Sequence, residues 1–135
     1  SFSVTPSTGT QNNTDVTMNF QGPKGASTRV TIAMVSHSGT TSFMCPTFRF
    51  TMPDAGTASI TTTMPSEISY FKKLMYVATM EDWGASQQIT TSGTVSSPAT
   101  ATKAAAICNT LSRSVQRVQA SVHSAARDTR RLSGN

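Results

Sequence analysis

Residues 99–132, ATATKAAAICNTLSRSVQRVQASVHSAARDTRRL, decide the architecture, because they run without a Gly or a Pro. When this stretch is wound at about 100° per residue, its apolar side chains fall within an arc of about 80°. This apolar stripe consists of Ala104, Ile107, Leu111, Val115, Val118, Val122 and Ala125. Roughly opposite lie four arginines, Arg113, Arg117, Arg127 and Arg131. The pattern predicts an amphipathic helix, either one rod or two pieces that break near residues 112–114.

The apolar stripe needs a partner, because an isolated helix of this kind is marginal in water. We predict that the stripe forms the contact between subunits of a homo-oligomer, a dimer or a higher assembly. The predicted contact residues are Ile107, Leu111, Val115, Val118 and Val122. The alternative is that one chain folds the helix back over its own sheet. Residues 1–135 are expected to form a single domain, with a β-sheet region at 1–95 and a helical region at 96–135.

Residues 1–95 alternate apolar and polar side chains in short runs separated by turn residues, which is typical of strands. Residues 2–5 and 16–20 predict an N-terminal hairpin. Residues 43–52 predict a strand interrupted by Pro46, whose missing N–H favours a sheet edge or a bulge. The expected fold class is α+β, an antiparallel sheet of about six to seven strands followed by a C-terminal amphipathic helix or helix pair.

The composition is poor in groups that perform chemistry. Ser and Thr number 19 and 23, whereas charged residues make up only 13% of the chain. Neither His37 nor His123 has further ligands at metal-binding spacing, so we expect no metal site, no cofactor and no catalytic residue. Cys45 and Cys108 either pair in an oxidising compartment or stay buried thiols in a reducing one. No apolar run has the length of a membrane span, so no membrane partner is expected.

The net charge of +5 favours acidic partners such as single-stranded RNA. Several basic residues adjoin predicted strands, where a sheet presents them in rows beside hydroxyl donors. The candidate RNA-binding residues are Arg49, Thr31, Lys73, Tyr76, Arg29 and Lys72, with Tyr76 in the role of a base-stacking ring. The alternative is that Tyr76 belongs to the core and that the charges are solvated. Because Phe48 and Phe50 flank Arg49, burial of both rings turns the arginine to the opposite face of the sheet.

The order of the elements resembles the coat proteins of single-stranded RNA bacteriophages, the leviviruses. The resemblance rests on DVTM at 15–18, RVTIAMV at 29–35, FRFTMP at 48–53 and the helix after Val95. It implies that two subunits interlock their helices over one continuous sheet, whose inner face binds a genome hairpin. It also implies that Thr31 and Arg49 contact the RNA, together with Lys73 and Tyr76. The Arg-rich face of the helix is stronger than the family pattern.

A second resemblance covers residues 2–92, where KLMYV at 73–77 and WGAS at 83–86 are similar to the immunoglobulin-like C-terminal domain of galactose oxidase relatives. It implies a secreted β-sandwich, in which the helix has no counterpart.

The expected function is therefore that of a non-enzymatic viral coat protein. It would dimerise, form a capsid and package genomic RNA, in a virion assembled in the host cytoplasm. The alternative is a secreted, non-catalytic immunoglobulin-like module or an extracellular filament subunit.

Overall fold

The computed structural model describes residues 1–39, 42–95 and 97–133, with side chains described up to residue 119. The described residues form eight strands, a short 3-10 helix (Ser66–Tyr70) and one α-helix, α1 (Ala101–Ser133). The strands are β1 (Phe2–Thr5), β2 (Asp15–Gln21), β3 (Ser27–Ser36), β4 (Ser42–Met44), β5 (Phe48–Thr51), β6 (Thr57–Thr63), β7 (Phe71–Met80) and β8 (Trp83–Thr90).

The strands are divided between two antiparallel sheets. The smaller sheet has the order β1-β2-β6, and the larger has the order β4-β3-β7-β8, with β5 also paired to β3. The predicted α+β class and the N-terminal hairpin of β1 and β2 are thereby confirmed. The C-terminal region is a single continuous helix, so the alternative of a helix pair is excluded.

Pro46 breaks the predicted strand of residues 43–52 into β4 and β5 at the edge of the larger sheet. Both fragments pair with β3, at Ala33–Val35 and at Ser27–Val30 respectively. Between them the N–H of Cys45 still donates to the carbonyl oxygen of Ile32, at 2.9 Å. The predicted edge position of Pro46 follows from its lack of a backbone donor.

One core lies between the two sheets, built from the residues that alternate inward along each strand. Phe20 of the smaller sheet meets Phe50 of the larger one edge-on, with ring centroids 5.0 Å apart. Along β2 the inward residues are Val16, Met18 and Phe20, and along β3 they include Val30, Ile32 and Met34. The inward-facing side chains that alternate along the strands of one sheet therefore pack against those of the other sheet across this core.

On one side of the sandwich, a side-chain amide joins the edges of the two sheets. Gln87 Nε2 of β8 donates to the carbonyl oxygen of Val4, at 2.6 Å, and Gln87 Oε1 accepts from the N–H of Val4, at 2.9 Å. The Gln87 amide thus occupies the place of a backbone partner for β1. Just beyond, the N–H of Thr90 donates to the carbonyl oxygen of Ser7, at 2.9 Å.

On the other side, α1 packs against β4, β5, β6 and the 3-10 helix. Ala104, Ile107, Leu111 and Val115 of the apolar stripe are buried in the chain's own core. The prediction that Ile107, Leu111 and Val115 form a subunit contact is therefore corrected, because no surface of these side chains is left for a partner. Val118 is half-buried against the same core. Val122 lies outside the residues whose side chains are described.

The helix begins at Ala101, later than the predicted boundary of the helical region at residue 96. Thr100 is the N-cap, since its hydroxyl accepts from the N–H of Lys103 at 3.3 Å. The Lys103 ammonium group then lies 3.6 Å from the centroid of the Tyr70 ring and donates to the carbonyl oxygen of Pro98. These contacts orient the first turn against the 3-10 helix.

A disulfide between Cys45 and Cys108 joins the connection between β4 and β5 to the middle of the packed part of α1. The Cα atoms are 5.4 Å apart, and both residues are buried. Of the two alternatives for these cysteines, the structure shows the bonded one.

Replacing Leu111 tests where the apolar stripe packs. Leu111→Ala should lower the free energy of unfolding by about 2–5 kcal/mol, because it leaves a cavity in the core of a single chain. Urea denaturation measures this loss, and light scattering should give the same molar mass for both proteins. Arg113→Ala, on the exposed side of the same helix, should change stability by less than about 0.5 kcal/mol. A dissociating oligomer with an intact protomer would contradict the intrachain packing.

Candidate functional site

The solvent-facing side of the larger sheet brings together three of the six residues predicted to bind RNA, Arg29, Thr31 and Arg49. We call this surface the outer face. Its strands alternate between core and solvent, so that Phe48 and Phe50 are buried whereas Arg49 between them is exposed. The predicted orientation of Arg49 is confirmed. Antiparallel pairing places Arg49 directly opposite Arg29 of β3, which is also exposed.

Hydroxyl groups stand next to this arginine pair. Thr31 is two residues along β3 from Arg29, on the same side of the sheet, and its Oγ1 lies 3.5 Å from Thr47 Oγ1. On the other flank, Arg29 is paired with Thr79 of β7. Guanidinium and hydroxyl groups side by side are donors for a carboxylate, a phosphate or a sulfate.

The arginine pair is electrostatically unfavourable in the unbound protein. Like charges placed directly opposite on adjacent strands destabilise a sheet. Among the described residues, neither guanidinium group makes a hydrogen bond or an ion pair. Asp54, Glu81 and Asp82 stand in turns rather than on the strands of the outer face. An anion between Arg29 and Arg49 would relieve this repulsion.

The two lysines lie farther away. Lys73 is half-buried and paired with Val35 and Thr90, and Lys72 is exposed beside it. Lys73 lies six residues along β7 from Thr79, the neighbour of Arg29, and this distance is about 20 Å in a strand. The structure therefore does not bring the lysines together with the arginines, and a ligand would need this length to contact both.

Tyr76 cannot serve as a stacking platform for a base. Its side chain is 0% exposed and belongs to the core, which corrects its predicted role in RNA binding. Burial raises the pKa of the Tyr76 phenol well above its usual range. Its hydroxyl has no hydrogen-bond partner among the described residues. Tyr76 follows the inward alternation of β7, between exposed Met75 and Val77.

Apolar side chains share the outer face with the arginine pair. Met44 is 67% exposed, Val77 43% and Met75 39%. Ala33 of β3 is paired with both Met44 and Met75, and Thr31 is paired with Val77, so these side chains form one patch across three strands. The sequence signal for this patch was LMYVA at 74–78, which is apolar on both faces of a strand. A strand with one face in water usually alternates instead.

The described residues offer little for metal or nucleophilic chemistry. They contain no group of three or more His, Cys, Asp or Glu side chains that could hold a metal ion. His37 Nε2 lies 3.0 Å from the carbonyl oxygen of Ser69. The sulfur atoms of Cys45 and Cys108 are bonded to each other in the disulfide. Within the described part of the chain, no helix is both long enough and apolar enough to cross a membrane.

Comparison with known proteins identifies no relative. The chain matches no protein family, and no curated protein or solved structure is significantly similar to it.

Replacing Arg49 tests the repulsion on the outer face. Arg49→Gln should raise the free energy of unfolding by about 0.2–1 kcal/mol at low ionic strength, because it removes a like-charge cross-strand pair. The gain should shrink in about 1 M salt, where the Debye length falls to about 3 Å.

A double-mutant cycle with Arg29→Gln isolates the interaction between the two guanidinium groups from other effects of charge removal. Lys24→Gln, in the exposed connection between β2 and β3, is the matched control for loss of one positive charge. A coupling energy of zero would show that the two charges do not interact.

Proposed function

We propose that this chain is a non-enzymatic, disulfide-bonded β-sandwich module that works in an oxidising, extracellular compartment and binds an anionic partner through its outer face. The disulfide between Cys45 and Cys108 is the observation that carries the proposal. Structural disulfides persist in secreted proteins and are rare in reducing cytoplasm. Here the bond joins the edge of the larger sheet to the helix that covers the core, so it supports the whole fold.

The order of the strands supports a module of the immunoglobulin-like kind. In such sandwiches, strands A, B, E and D share one sheet, in that spatial order, and strands C, F and G share the other. With β4 and β5 taken as additions at the edge of β3, and with no counterpart of strand D among the described strands, the sheets β1-β2-β6 and β3-β7-β8 follow the orders A-B-E and C-F-G. The position of the disulfide and the C-terminal helix depart from antibody domains, in which the bond crosses the sandwich between two strands.

The outer face supports a binding role. It combines two unpaired arginines with exposed methionine and valine side chains, on the rigid strands of a disulfide-bonded scaffold. Large exposed apolar patches rimmed by polar residues mark interaction sites on the surfaces of monomeric proteins.

A second candidate function is the RNA-binding coat protein. The observation that favours it is the cluster of Arg29, Arg49 and Thr31 on an exposed sheet face, since these were candidate phosphate contacts. The burial of Tyr76 and of the helix stripe removes two further supports of this hypothesis. Capsid formation, RNA packaging and dimerisation stay predictions.

The thiol state distinguishes the two functions. Protein from its native source, denatured and alkylated without reductant, should take up no label and should have a mass lower by two hydrogens than the reduced chain. Reduction should lower the free energy of unfolding by about 4 kcal/mol, since the bond closes a loop between residues 63 apart in sequence. Urea denaturation with and without reductant measures this loss.

The double variant Cys45→Ala/Cys108→Ala is the control, because its stability should not respond to reductant. If both cysteines of the native protein take up label, the protein works in a reducing compartment and the secreted module is excluded. RNA in the purified native particles would then support the coat protein.

A further inference from the structure

We infer that the partner of the outer face is an acidic polypeptide segment that also carries aliphatic side chains. This inference rests on the proposed binding function and adds the chemical class of the partner. Three features of the outer face lead to it: its charge, its apolar patch and the kind of side chains that it lacks.

The charge of the outer face selects an anion. Arg29 and Arg49 stand opposite each other with no acid on the strands around them, and Lys73 lies at the far end of β7. Two adjacent guanidinium groups match the planar, bidentate geometry of carboxylates and phosphates. Charge complementarity therefore places negatively charged groups of the partner at the arginine end of the sheet.

A partner that covers the apolar patch must carry apolar groups as well as negative charge. Met44, Met75 and Val77 are exposed within a few residues of the arginine pair, and Ala33 and Val35 continue the patch between the strands. Burying such side chains is favourable in proportion to the area that leaves water. A sulfated glycan offers few groups to cover them, whereas aliphatic side chains of a polypeptide do so. Exposed methionines are also typical of surfaces that adapt to a protein partner.

The absence of aromatic side chains argues against a nucleic acid. Sequence-tolerant binding of single-stranded RNA depends on bases stacked against aromatic rings. Among the described residues, the outer face carries no aromatic side chain, because Phe48, Phe50 and Tyr76 all alternate into the core. Phosphates alone would contact the arginines and leave the patch of methionine and valine uncovered.

Fluorescence anisotropy with labelled probes tests the inference. The probes are a peptide of alternating glutamate and valine with the length of β3 or β7, 10 residues, the same peptide with serine in place of valine, an oligouridylate and a heparin oligosaccharide. The glutamate and valine peptide should bind most tightly. Arg29→Gln/Arg49→Gln and Met75→Ser/Val77→Ser should each weaken that binding by about tenfold, which corresponds to about 1.4 kcal/mol.

The double variant Lys24→Gln/Arg113→Gln removes the same charge from exposed positions away from the outer face and is the matched control. It should bind the peptide like the unmodified protein. Circular dichroism and denaturation of each variant separate loss of binding from loss of folding.

Three results would overturn the inference. The first is tighter binding of oligouridylate or heparin than of the peptide, with loss in the arginine variant, which would keep an anion-binding module and change the class of its partner. The second is that the serine-containing peptide binds as tightly as the glutamate and valine peptide, which would show that the apolar patch does not contribute to binding. The third is equal weakening by the control variant, or no binding of any probe, which would exclude the outer face as the site. None of these outcomes depends on the thiol measurement, which tests the secreted compartment separately.

Discussion

The packing of one helix across the open side of a two-sheet sandwich is the interaction on which the rest of this structure depends. The smaller sheet ends at β6 and the larger one ends at β4 and β5, and α1 contacts all three strands. Without Ile107, Leu111 and Val115, the inward side chains of these edge strands would meet water. The Cys45–Cys108 bond fixes this arrangement covalently, at the point where Pro46 interrupts the edge. The opposite side needs no helix, because the Gln87 amide bonds to Val4 and joins β8 to β1.

The same interruption explains how the arginine pair arises. Once the chain has passed Pro46, β5 rejoins β3 with Phe48 and Phe50 directed into the core. Because successive side chains of a strand point to opposite faces, the side chain of Arg49 then points to solvent. The pairing register of β5 with β3 then places it opposite Arg29. The outward position of Arg49 and this register together impose an electrostatic cost on the surface, because like charges directly opposite destabilise a sheet. A ligand that neutralises the pair would stabilise the folded chain by binding it.

Much of this fold could be predicted from the sequence, and what could not be predicted shares one cause. Periodicity shows which side of an element is buried. It correctly assigned the helix stripe from Ala104 to Val115, the hairpin of β1 and β2, and the outward position of Arg49. Periodicity does not show what covers the buried side. For that reason Leu111 was assigned to a partner subunit although it packs on the chain's own strands. One sheet was expected where the structure has two, and only the resemblance to immunoglobulin-like domains implied a sandwich. Tyr76 illustrates the same limit, because in LMYVA at 74–78 every residue is apolar or aromatic and alternation gives no inward side.

The sequence predicted the charged residues of the candidate site but not its apolar residues. Basic residues beside strands stand out in a chain with only 13% charged residues, so Arg29 and Arg49 could be found without a structure. Met44, Met75 and Val77 could not, since exposed and buried aliphatic residues are identical in sequence until the pairing of Ala33 with Met44 and Met75 places them on one face. This part of the surface changes the chemistry that a partner must have. A row of arginines alone would accept any polyanion, whereas arginines beside an aliphatic patch favour a partner that presents carboxylates and apolar side chains at the spacing of a sheet.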